Sequence, residues 1–128
     1  MKVSIKSFVE SYLETAAWVT VDSSENGNFK KSAKKSAKKD CKLFIEKVIL
    51  EFGNKKATEL LCIQGNKVAS IAAHDFFLTR NHHGAGFWSS PEVYNGEENA
   101  EKLTEISLTM GEVDCYHVKG KKSKLTFS

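Results

Sequence analysis

Between Phe29 and Phe52 the apolar residues recur at helical spacing, with Ala33, Ala37, Cys41, Phe44, Val48 and Phe52 on one face. Lys31, Lys34, Lys35, Lys38, Lys39 and Lys42 fall on the opposite face, at i, i+3, i+4, i+7, i+8 and i+11. A period near 3.6 kept up over so long a stretch fits an α-helix with one side on a core and the other in water. The tract opens on Lys-Lys-Ser-Ala written twice, which is local low complexity and not a repeat architecture. Gly53 is a suitable stop, and Asn54 a suitable start for a helix that carries Ala57, Leu60, Leu61 and Ile63 and ends at Gly65.

The flanking chain divides in the same way. Ile5, Phe8, Val9, Tyr12, Leu13, Ala16 and Ala17 form the stripe of a first amphipathic helix closed by Trp18 and Val19. Ser4 or Ser7 is its expected N-cap, with Glu10 completing a capping box. Asp22–Asn28 reads as a polar loop, with a short hairpin at Asn26-Gly27 the less favoured alternative. A last helix is expected from Glu97 to Met110, with Ala100, Leu103, Ile106 and Met110 inward and Gly111 as its stop. Val113–Val118 and Leu125–Phe127, joined through Lys119-Gly120-Lys121-Lys122, read as a β-hairpin. The fold expected is α+β, one domain over residues 1–128, with four to five helices packed on a small antiparallel sheet that includes this C-terminal hairpin.

Composition agrees with one independently folding domain: 128 residues, 41% of them hydrophobic, including eight phenylalanines, suffice for a core. No apolar run approaches a membrane span, and the start lacks a signal-peptide core, so a cytoplasmic protein without membrane association is expected. Cys41, Cys62 and Cys115 are widely spaced and form no Cys-x-x-Cys, which favours reduced buried thiols over a zinc site or a disulfide framework.

The stretch from His74 to Trp88 is the most distinctive. It holds three of the four histidines and the only arginine of a chain with nineteen basic residues. Phe76–Thr79 reads as a strand, a short helical turn from Lys67 to about Ala73 preceding it. Asn81–Gly86 reads as a loop, and Phe87-Trp88 as a short returning strand ended by Pro91. An arginine where the composition favours lysine implies a need for a planar fork, aimed at a carboxylate, a phosphate or an aromatic face. Asp75 and Glu112 are the internal candidates, and stacking on Trp88 is the alternative. His74, Asp75, Arg80 and His83 are also the parts of acid–base chemistry on a phosphate-bearing or nucleotide substrate. No established catalytic spacing accompanies them, and a structural role is the plainer account. Nor do His74, Asp75, His82, His83 and His117 show a repeating ligand spacing, so no metal and no cofactor is expected. Gly84 and Gly86 would let a backbone approach another surface closely.

The Lys31–Lys42 face offers a contact for a phosphate backbone. Neither an arginine nor an aromatic residue interleaves it, which makes a solvated helix face the plainer reading.

The central stretch resembles a motif of small tailed-bacteriophage proteins, His-Asp-Phe-Trp-Leu-Thr-Arg-Asn-Gly-His-Gly-Ala-Gly-Phe-Trp-Asp-Arg. Here Phe77 stands for its Trp, His82 for its first Gly, and Ser89-Ser90 for its Asp-Arg. Ala16-Ala17-Trp18, Cys41–Phe44 and Gly111–Tyr116 resemble the family's flanking motifs in the same order. The resemblance implies a phage origin and assigns no reaction; together with the short chain and the missing catalytic motif it leads to the expectation of a non-catalytic accessory protein in the host cytoplasm. The function expected is binding to a host or phage macromolecule, a host protein or a nucleic-acid-processing complex, for example as a host-takeover or anti-defence inhibitor. Arg80, Asn81, His83, Gly84, Gly86 and Trp88 would form or support the contact. The alternatives are the small enzyme and a nucleic-acid-binding module built on the lysine helix.

Overall fold

The computed structural model describes residues 4–20, 29–62, 68–83, 85–89, 91–118 and 124–127. Five α-helices stand among them: α1 (Ile5–Thr20), α2 (Lys31–Phe52), α3 (Asn54–Cys62), α4 (Val68–Arg80) and α5 (Glu97–Thr109). Two 3-10 turns, Phe87–Ser89 and Pro91–Tyr94, bridge α4 and α5. The expected Asp22–Asn28 loop, the stop at Gly65, Gly84 and the 119–123 lysines lie outside the described residues.

The body is helical, and this overturns the α+β expectation. The β structure among the described residues is one ribbon of two four-residue strands, β1 (Cys115–Val118) and β2 (Lys124–Phe127), plus a single bridge between Phe29 and Leu125. Two short strands make no layer on which helices could pack. The ribbon instead lies at the start of α2, where Leu125 O accepts the Lys30 N–H at 3.0 Å.

α4 takes the place the sheet was expected to fill. Ala72, Ala73 and Phe76–Leu78 are all buried, and so are the polar Asp75, Thr79 and Arg80. Phe76–Thr79 is therefore helical and not extended. A helix buried on nearly every side shows no polar face, and its apolar run cannot be told from a buried strand by periodicity. Phe87-Trp88 likewise forms a 3-10 turn and not a returning strand.

Aromatic rings join the helices. Phe76 of α4 stacks on Phe44 of α2, with centroids 4.1 Å apart and planes within 14°. Phe8 and Tyr12 of α1 pack on Phe76, Tyr12 meets Phe77 edge-on at 5.2 Å, and Phe87 meets Tyr94 edge-on at 5.0 Å. At the start of α1, Ser4 Oγ accepts the Ser7 N–H at 3.3 Å. Ser4 is thus the cap, which puts Ser7 and not Glu10 at the capping-box position. No helix among the described residues is long and apolar enough to cross a membrane.

Candidate functional site

Arg80 ends α4 and points inward, with 2% of its side chain exposed. Its Nε donates to Gly111 O at 2.8 Å and its Nη2 to Met110 O at 3.1 Å. Its Nη1 donates to Asp40 Oδ2 at 2.9 Å and to the Tyr12 hydroxyl at 3.0 Å, and its Cζ lies 5.3 Å from the centre of the Phe76 ring. One guanidinium therefore holds the last carbonyls after α5, a carboxylate of α2 and a phenol of α1. A planar fork does this where a lysine ammonium, a single point, cannot. The carboxylate is Asp40, and neither Asp75 nor Glu112. Burial pushes the Tyr12 phenol above its ordinary range against the opposing Arg80 charge, so Tyr12 stays neutral.

The other expected acid–base residues go elsewhere. Thr15 Oγ1 donates to Ser11 O at 2.9 Å, which leaves it to accept from His74 Nδ1 at 3.1 Å. The His74 ring also lies beside Trp18 of α1. Asp75 turns to the far side of α4, where the Tyr94 hydroxyl donates to its Oδ2 at 2.6 Å. Burial raises the Asp75 carboxyl above its ordinary range; the Tyr94 bond and the His74 charge work against this. His83 is exposed and stacks on Phe77. His74, Asp75, Arg80 and His83 thus turn to separate partners, Thr15, Tyr94, Asp40 and Phe77, and none of the four contacts another among these bonds. Among the described residues no three His, Cys, Asp or Glu side chains come together as metal ligands. Burial, reinforced by the Asp40 charge, pushes the Cys41 thiol upward, so it stays protonated and unreactive.

Beyond Arg80 the chain forms a loop fixed from inside. Asn81 Nδ2 donates to Phe77 O at 3.0 Å, and Asn81 Oδ1 accepts the Val113 N–H at 2.8 Å. The His83 N–H reaches Leu78 O, and Thr79 Oγ1 accepts the Phe87 N–H at 3.2 Å. Ser89 Oγ accepts the Gly86 N–H and donates to Gly86 O. Gly86 has φ +155°, and a Cβ there would collide with Thr79 Oγ1 and crowd Thr79 Cβ, so glycine is the residue that allows this approach. Arg80 and Asn81, expected to form or support the contact, build the loop from within and so can only support it. His82, His83 and Trp88 remain on its outer rim, Trp88 with 52% exposure. His82 has φ +56° and pairs with Glu112 at 3.1 Å, both side chains well exposed. It stands just past the C-terminus of α4, where a left-handed backbone favours glycine.

Lys31, Lys34, Lys35, Lys38, Lys39 and Lys42 are all exposed on α2. Among the described residues no carboxylate lies within ion-pair distance of any of them. Lys31–Lys35, Lys34–Lys38, Lys35–Lys39 and Lys38–Lys42 are like-charged neighbours one turn apart, each pair costing about 0.2–0.5 kcal/mol. The helix starts without a side-chain cap bond and without an acidic residue in its first turn. This charge sits at the positive end of the helix dipole, where anions are favoured instead.

An open depression of about 380 Å³ between α2 and α5, lined by Lys47, Leu50, Glu51, Lys102, Glu105, Ile106 and Thr109, touches neither region. Comparison with protein-family models, curated proteins and solved structures gives no match.

Proposed function

We propose that the protein is a non-catalytic phage accessory protein that acts by binding a host macromolecule, and that His82, His83 and Trp88 form the contact. The observation that carries this is the combination of a bonded loop with an exposed indole. Asn81, His83 and Phe87 are held by the Phe77, Leu78, Thr79 and Val113 bonds, while Trp88, next to Phe87, stays 52% exposed. A large side chain on a pre-ordered loop loses little conformational entropy on binding, and tryptophan is enriched among residues that dominate interface energy. The phage motif lies over this same loop, and the kind of partner is taken from that resemblance.

The test compares immobilised wild type with a Trp88→Ala/His83→Ala variant in bacterial lysate, with retained proteins identified by mass spectrometry. Removing a hot-spot tryptophan costs about 2 kcal/mol or more, roughly 30-fold in affinity. A protein held by the wild type and lost from a variant of unchanged melting temperature is the expected result. Identical retention by both would refute the assignment of this rim.

A further inference from the structure

We propose that the outer face of α2 is a docking surface for the phosphate backbone of double-stranded DNA. The six lysines are exposed and free of ion pairs among the described residues. The one acidic residue within Lys31–Lys42 is Asp40, and its carboxylate is turned to Arg80, 2.9 Å away. The ion pair that fastens α2 to the core thereby also removes the negative charge that would interrupt the ridge.

The shape of the ridge narrows the partner. Eleven steps from Lys31 to Lys42 cover roughly 16 Å of helix axis, and Lys34 and Lys39 bound an arc of about 140° around it. Such an arc lets lysines on both flanks reach phosphates when a helix lies along a groove walled by two backbones. The major groove of B-DNA admits an α-helix, whereas that of A-form RNA is too narrow and deep for side-chain entry. No aromatic residue interleaves the lysines, so the stacking platform of a single-strand binder is missing from this face. No arginine, asparagine or glutamine does so either, which makes the binding independent of base sequence. Ser32 and Ser36, exposed beside the ridge, add hydroxyl donors suited to phosphate.

The experiment is a fluorescence-anisotropy titration of the full chain against a random-sequence DNA duplex at increasing KCl. If all six lysines engage, log K falls against log salt with a slope of about −5, roughly a 10³-fold loss between 50 and 200 mM. Lys34→Gln/Lys35→Gln/Lys38→Gln/Lys39→Gln keeps helix-forming side chains, and an affinity loss of at least about 100-fold is expected of it. Trp88→Ala is expected to bind DNA like the wild type, which separates this face from the loop rim. A wild-type slope shallower than about −2 would overturn the proposal without reference to any variant. So would equal binding of a single strand of the same length, competition by poly-glutamate as strong as by duplex, or full affinity in the glutamine variant.

Discussion

Arg80→Lys keeps the charge and removes the fork, and its cost can be worked from the bonds. Nε and Nη2 face the Gly111 and Met110 carbonyls, while Nη1 faces Asp40 and Tyr12. An ammonium can serve one of these two groups and not both. Its attraction to the carboxylate selects Asp40, which leaves two carbonyls after α5 without their donors. Lost bonds and unsatisfied buried acceptors each cost about 1–3 kcal/mol. Gly111 is exposed and its carbonyl regains water, which places the total near 2–4 kcal/mol. For a domain of this size that is a fall of roughly 10 °C in melting temperature. His83→Ala, which removes only an exposed ring from the edge of Phe77, is expected to lower it by about 2 °C or less. Thermal denaturation followed by circular dichroism at neutral pH measures both. An Arg80→Lys protein that melted with the wild type would refute the reasoning, because it would mean that the fork is not what holds these four elements together.

Two further substitutions test the surroundings of α4. Tyr94→Phe leaves the buried Asp75 carboxylate without its donor, at a cost of about 1–3 kcal/mol. Asp75's folded pKa already lies above its unfolded value, so the stability it contributes is present at low pH and lost as pH rises through the folded pKa. Removing the Tyr94 bond raises that pKa further. Urea denaturation should therefore give a larger destabilisation at about pH 7 than at about pH 4, and an equal one would contradict the placement of Asp75. His82→Gly relieves a left-handed backbone strain of about 1–2 kcal/mol while giving up the exposed His82–Glu112 contact, worth about 0–1 kcal/mol. Its melting temperature should rise by a few degrees, and a fall would contradict the geometry at this position.

The helices that were legible in the sequence are those with two unlike faces. α1, α2 and α5 lie where alternating stripes of Phe8–Tyr12–Ala16, Ala37–Phe44–Val48 and Ala100–Leu103 put them, because one side of each meets water. α4 was not legible as a helix past Ala73. Its Phe76–Leu78 run is buried on every side, and Asp75 and Arg80, which mimic an outer face, pair inward. A sheet was expected because a buried strand would have produced the same letters. The rarity of arginine did point to a fork at Arg80. Its partner stayed hidden because Asp40, in the linear sequence, sits among lysines and reads as part of a solvated charge pattern. His82 reads as one more imidazole of a histidine-rich stretch, although its place two residues beyond the last turn of α4 is that of a helix cap. Trp88 is exposed while Phe87 beside it is fully buried, a division that two adjacent aromatic letters do not reveal.

The central claim is that the interior half of the His74–Trp88 stretch fastens the helices while its rim is left for binding, and Arg80 decides it. The chain has one arginine, so its side-chain Nε–Hε group gives a single, unambiguous signal in a ¹⁵N–¹H nuclear magnetic resonance spectrum. Bonded at 2.8 Å to Gly111 O, with the guanidinium carbon 5.3 Å from the centre of the Phe76 ring, that proton should persist at neutral pH, exchange slowly with water and show an Overhauser contact to Phe76. An Hε signal lost to solvent exchange like that of a free arginine, or without the Phe76 contact, would contradict the account.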